Sequence, residues 1–296
     1  MLKQKLIFIV LLWSAILFFS GCDRKSNFSK LKGNYLGQKP PGLIPEIFAP
    51  GFISTEKYSE LGCTFTPDGK EIYFTRNKGG LTQPTIFASR FEKDGWRAPE
   101  PVAFSGYGPH VTYDGRRMLI TKIGETQGNE ICIDIWILNR TAEGWENPEY
   151  HGPGARATAS SNGNIYFIDR SLKDDRGVIA MQIFAGGKYT RPEVIGGGVN
   201  TPYYEAHPCI APDESYIIFD SDRLGGHGSG DLYICFRNED GSWGEAINLG
   251  ANINTAGYDG YASISPDGRY LFYSTREGGS YDIYWVNANV IEELKP

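Results

Sequence analysis

The feature that most constrains this chain is a turn that returns five times. It reads FTPDGKEIYFTR around Asp68, VTYDGRRMLITK around Asp114, ASSNGNIYFIDR around Asn162, IAPDESYIIFDSDR around Asp213 and ISPDGRYLFYSTR around Asp267. The intervals are 46, 48, 51 and 54 residues. A period near fifty is the length of one four-stranded propeller blade. Within each unit an apolar strand leads into Pro-Asp-Gly or a variant, whose residues suit a tight turn. An alternating strand follows, as in Glu71 to Thr75 or Tyr270 to Ser274. A third strand carries Asp-apolar-aromatic, as Asp134-Ile135-Trp136, Asp231-Leu232-Tyr233 and Asp282-Ile283-Tyr284. A fourth begins near an aromatic: Trp96, Trp145, Tyr189 or Trp243.

The last unit runs out after its third strand, Tyr281 to Asn289, while residues 45–55 parallel residues 246–255. The first strand is therefore expected to complete the last blade and close the ring, which leaves only short, protected edges. The expectation is an all-β chain: a single β-propeller of five four-stranded blades over residues 41–296. The repeated motif resembles the TolB-type, WD-repeat-like β-propeller repeat, and the resemblance covers nearly all of residues 44–291. That resemblance implies contact with envelope proteins, lipoproteins or peptidoglycan. TolB itself has six blades beside another domain; here five turns are counted and no room is left for a second domain.

The N-terminus reads as a targeting segment. Lys3 and Lys5 precede an apolar run through Phe19, then Ser20-Gly21-Cys22. A basic start, an apolar stretch and small residues before a cleavage point define a secretory signal. The Cys after Ser-Gly resembles a bacterial lipobox, with Phe19 in place of the usual Leu. The resemblance implies a signal peptide over 1–21, lipid on Cys22, and a flexible tether over 22–40. The competing assignment is an uncleaved membrane anchor, for which roughly 20 apolar residues suffice. Either way the body is exported and held at the inner or outer membrane, facing periplasm or cell surface. Asp23 does not choose the membrane. Without the signal, 27 basic residues face 35 acidic ones. That balance excludes nucleic acid as a partner, because phosphate binding needs a basic footprint.

Eight residues before three turn aspartates stand Glu60, Glu205 and Asp259. The corresponding positions in blades 2 and 3 are Gly106 and Gly154. Three consecutive blades would thus bring carboxylates to one side of the channel mouth, with Tyr58, Tyr204 and Tyr258 just before them and His207 and His110 within reach. Carboxylates accept hydrogen bonds from hydroxyls and amines, and aromatic faces cover apolar or cationic surface. The set suits a cation, a basic peptide or a sugar. The structural assignment of the same acids is as parts of the repeat that cap neighbouring backbone. The turn aspartates are expected to bond their own turns. Arg76, Arg170, Arg223 and Arg276 are expected to pair with Asp231 and Asp282 across hairpins.

Cys209 and Cys235 fall in first and third strands of one blade, about 9–10 Å apart, beyond the roughly 7 Å a disulfide spans. Cys63 and Cys132 lie in different blades. Buried free thiols are expected, with no metal site and no cofactor. Two function classes follow. One is a non-catalytic binding or scaffold module, monomeric in its body, for a protein, peptide or glycan. The other is a glycoside hydrolase or lyase using Glu60, Glu205 and Asp259 in the funnel, which needs two carboxylates about 5–9 Å apart. No Gly-x-Ser-x-Gly nucleophile elbow is present.

Overall fold

A computed structural model describes residues 31–77, 84–93, 95–124, 132–171 and 177–296. The signal segment, Cys22 and Asp23 lie outside these residues. Five antiparallel sheets surround one axis, and in each the strand that precedes the repeated turn is innermost. These inner strands are Ser59–Phe65, Tyr107–Val111, Ala155–Ala159, Glu205–Ile210 and Tyr258–Ile264. Second strands, such as Glu71–Asn77 and Tyr216–Ser221, are buried through most of their length. Their near-continuous apolar runs are what a strand covered on both faces requires.

The ring closes as expected. Glu46–Ile47 pairs antiparallel with the last strand, Glu46 opposite Trp285 and Ile47 opposite Tyr284. Phe48 continues the contact through its N–H to Ile283 O at 2.8 Å. The seam between blades 5 and 1 is an aromatic cluster of Tyr35, Phe48, Phe65, Tyr270, Phe272 and Trp285. Asn289–Glu292 forms a short terminal helix.

The packed chain begins earlier than residue 41. Leu31 to Gln38, assigned from sequence to the tether, dock on the seam. Trp96 donates from its backbone N to Leu31 O at 3.0 Å and from Nε1 to Gly33 O at 2.9 Å. Tyr35 and Leu36 are buried, and Gln38 bonds Ile47 O and Ala49 N. Outer strands also differ from expectation in detail. Tyr189 closes a small hairpin with Phe184, and the outer strand of blade 3 is Glu193–Val194. Trp243 makes a single bridge to Arg237, and the outer strand of blade 4 is Ile247–Asn248. Tyr189 and Trp243 thus do not lead the fourth strand, whereas Trp145 opens that of blade 2, Trp145–Pro153, as expected.

Two devices recur around the ring. Each turn carboxylate at Asp68, Asp114 and Asp267 accepts from the hydroxyl two residues before it and the N–H two residues after it. Asp213 accepts from Ser215 N and Oγ. The second device is a bulge in every inner strand, six residues before the turn position, where one residue takes left-handed backbone. The residues are Gly62 (φ 54°), Gly108 (60°), Arg156 (56°), His207 (47°) and Tyr261 (60°). A bulge re-aims the residue it carries. Seams are tied here as well: Gly108 N donates to Thr75 Oγ1, Arg156 N to Thr121 Oγ1, Tyr261 N to Asp220 Oδ1 and Gly62 N to Ser274 Oγ.

The four described cysteines are free, with Cys63, Cys209 and Cys235 buried. Cys132 is only partly covered, because it opens a third strand at the rim beside Gly124. Arg76 and Arg223 do not pair with an acid of the third strand. They turn inward to Glu60 and Glu205. Asp231 accepts instead from His227 N, Gly228 N and Asn248 Nδ2.

Candidate functional site: the channel mouth

The three acids at the repeat position are fully buried. Each is taken up within its own corner of the ring. Glu60 accepts from Thr55 N and Oγ1 and from Arg76 Nε at 2.9 Å. Glu205 accepts from Thr201 N and Oγ1, from Ser221 Oγ and from Arg223 Nη2. Asp259 accepts from Thr255 N and Oγ1 and from Thr275 Oγ1. A threonine that ends the crossing from the previous blade is thus pinned to the next inner strand. Burial pushes the Glu60 and Asp259 carboxyls above their ordinary range, against the pull of these donors.

Tyr58 sits at the blade 1 rim, with the Arg76 guanidinium 5.2 Å from its ring centre. His110 lies deeper, where its Nε2 accepts from Ala159 N across the blade 2–3 seam at 3.0 Å. Burial pushes this imidazole down to about 4, so it stays neutral at pH 7 and serves the wall.

His207 and Tyr258 do come together, around a carboxylate the sequence reading passed over. Asp220, fully buried on the second strand of blade 4, accepts from Tyr258 Oη and is bonded by His207 Nδ1 at 2.9 Å. Its Oδ1 also takes the Tyr261 N–H from blade 5 at 3.3 Å. Burial lowers the His207 pKa, and Arg156 and Arg170 add to this, while Asp220 works against it. A neutral ring whose Nδ1–H donates to Asp220 leaves Nε2 an acceptor. Tyr261 stacks on His207 with ring centres 3.8 Å apart. The Arg156 guanidinium lies 4.6 Å from the ring centres of both Tyr261 and Tyr107. Tyr204 stands beside this group: Asp220 raises its phenol pKa after burial has done so, and Arg156 and Arg170 oppose.

The mouth is thus lined by Gly62, Gly108, Arg156, His207 and Tyr261, above a pocket of about 400 Å³ counting open space at its rim. Three of the five hold left-handed backbone with a side chain, which costs of order 1 kcal/mol or more each. Strain of that kind points to residues kept for what their side chains do. The signal was present in the sequence as departures from the repeat. Seven residues after the turn position, blades 1, 2 and 5 carry Thr75, Thr121 and Ser274, whereas blades 3 and 4 carry Asp169 and Asp220. Among the described residues no group of His, Cys, Asp and Glu is arranged to hold a metal.

No protein-family model matches this sequence, and no curated protein does. Solved structures resemble it in fold. Putative TolB from Agrobacterium tumefaciens is 17% identical, with TM-score 0.51 over 79% of this chain and 78% of that one. TolB from Acinetobacter baumannii is also 17% identical, with TM-score 0.49 over 77% of this chain. This chain spans about half of it, 54%. A GH43_12 protein retrieved from a capybara gut metagenome is 12% identical, with TM-score 0.51 over 86% of this chain and 55% of that one. At these identities the likeness concerns the propeller fold.

Proposed function

We propose that the protein is a non-catalytic binding module that engages a protein or peptide partner at the channel mouth, held at the cell envelope by lipid on Cys22. One observation carries the binding reading. Every carboxylate of the repeat set is buried and held by donors of its own corner, whereas Arg156, His207 and Tyr261, from three different blades, converge at one mouth. Glycoside hydrolysis needs one carboxyl to protonate the leaving group and a second about 5–9 Å away to attack or to activate water. Glu60, Glu205 and Asp259 supply no open face, which favours binding over hydrolysis at these acids. The fold shared with TolB is compatible with this reading, although fold alone does not carry function.

A photo-crosslinking residue at Tyr204, on the mouth, is expected to capture a discrete partner in the native envelope, while one at Lys70, on the turn face, captures none. Equal labelling at both positions, or none at either, refutes the reading. For the anchor, Cys22→Ser should abolish fatty-acid labelling and release the body from the membrane fraction. Retained label sinks that part.

A further inference from the structure

The acid-bearing blades are 1, 4 and 5, and the acid-free ones conceal a complementary pattern. Eight residues after the turn position, blade 1 carries Arg76, which pairs with Glu60 eight residues before it. Blades 4 and 5 carry Ser221 and Thr275 there, each bonded to its own acid. Blades 2 and 3 keep a cation, Lys122 and Arg170, yet their acid positions are Gly106 and Gly154. A Cβ on Gly154 would lie 2.7 Å from Ile135 Cδ1 and 2.8 Å from Phe167 Cδ2, so blade 3 has no room for the missing carboxylate. On Gly106 it would lie 2.9 Å from Ile120 Cδ1.

The consequence is a cationic half of the mouth. Arg170 Nε is buried without a hydrogen-bond partner. Neither Arg170, Arg156 nor Lys122 has a carboxylate partner among the described residues, in contrast to Arg76, Arg140, Arg223 and Arg237. Arg156 and Lys122 gather about Tyr107, on the side of the ring to which blade 3 contributes Arg170. Arg156 covers the Tyr107 phenol ring, and Lys122 lines with Tyr107 a groove that includes Pro84, Ser105 and Gly106. Arg156 and Arg170 both favour the ionised form of its phenol, against burial.

We propose that this half of the mouth receives an acidic peptide segment, its carboxylates seated on Arg156, Arg170 and Lys122. Guanidinium–carboxylate pairs in a partly dry site are the stronger class of hydrogen bond. A sugar fits less well, because stacking requires free aromatic faces. Tyr261 is already in contact with Arg156 and His207, and Lys122 lies 4.3 Å from the centre of Trp136. A single phosphate would engage one point of a surface that spans two blades.

This inference rests on the binding reading above, and its test separates the two. Acetyl-Glu-Ala-Glu-Ala-Glu-amide and its Gln counterpart are titrated into the intact chain by calorimetry, at low and high salt. The acidic peptide is expected to bind at least about tenfold more tightly than the Gln peptide at low salt, since a charge-assisted bond contributes upward of a decade in affinity. Arg170→Gln and Lys122→Gln should each lose about tenfold with little change in melting temperature, because neither side chain has an ion-pair partner among the described residues. Equal affinity for the two peptides, undiminished binding by Arg170→Gln, or tighter binding of triglucuronate or inorganic phosphate overturns the inference. If the acidic peptide fails while crosslinking at Tyr204 still captures a partner, the acidic chemistry falls and the binding reading stands.

Discussion

Replacing Phe48 by Ala tests whether the ring is held shut by its first strand. Phe48 is fully buried. Its ring is 5.1 Å from Phe272 and 5.2 Å from Trp285 in blade 5, and 6.1 Å from Phe65 in blade 1, each in an edge-on arrangement. Truncation removes a buried side chain whose transfer contributes roughly 1.5–3 kcal/mol. It also forfeits aromatic pairs of about 0.5–1.5 kcal/mol each and leaves a cavity between rings that cannot all collapse inward. The expected cost is about 3–5 kcal/mol, the usual range for a buried Phe→Ala change. For a chain of this size that lowers the melting temperature by roughly 6–20 °C, at about 2–4 °C per kcal/mol. Urea unfolding followed by tryptophan fluorescence reads it through Trp285, the nearest reporter. The midpoint should fall with the slope unchanged, because the ring still unfolds as one unit. Leu224→Ala, at a residue 83% exposed, is the control and should stay within about 0.5 kcal/mol. A Phe48→Ala midpoint within about 1 kcal/mol of wild type would refute the claim that this seam bears the closure.

Other expectations follow from single groups. Hydrogen bonds from Ser215 hold the Asp213 carboxyl below its ordinary value of 3.8. Such a group adds stability that is complete above that value and disappears as pH falls through the depressed one. The stability gap between wild type and Asp213→Asn, read from urea midpoints, should therefore be full at pH 7 and close in strong acid. A gap that is constant with pH refutes the assignment. Burial pushes the thiols of Cys63, Cys209 and Cys235 up to about 12. Since the thiolate is the reactive form, maleimide on the native propeller at neutral pH should label Cys132 alone among its four cysteines. Modification of Cys209 without unfolding, seen by peptide mass spectrometry, would contradict that.

The architecture was open to sequence reading because its cause is local. A Pro-Asp-Gly turn between two apolar strands needs no tertiary information, and five of them at blade spacing define the ring. The closing strand was legible for the same reason, as a copy of residues 246–255 displaced to the front. The site was harder. Glu60, Glu205 and Asp259 stand out as charges in apolar strands, but whether such a charge faces solvent or caps a neighbour depends on Thr55, Thr201 and Thr255, four or five residues upstream and across a seam. Arg156 and Tyr261 were obscured by backbone. Nothing in the sequence announces left-handed φ at non-glycine residues, and without that bulge an alternating strand assigns them to the wrong face. Asp220, and Arg170 with no carboxylate partner among the described residues, become visible only when the blades are laid over one another and compared position by position.

The segment from Leu31 to Gln38 also has a mechanical meaning. Tension on the chain from its N-terminal side would not reach the closing strand first. It would be met at Leu31 and Gly33, which Trp96 grips from blade 1. Next comes Tyr35, wedged edge-on against Phe65 and Tyr270, and then Gln38, strapped to Ile47 and Ala49. Load entering there is divided between the first and last blades before Glu46–Ile47 can be peeled away, so a ring hung by this end is pulled across its joint and not opened at it.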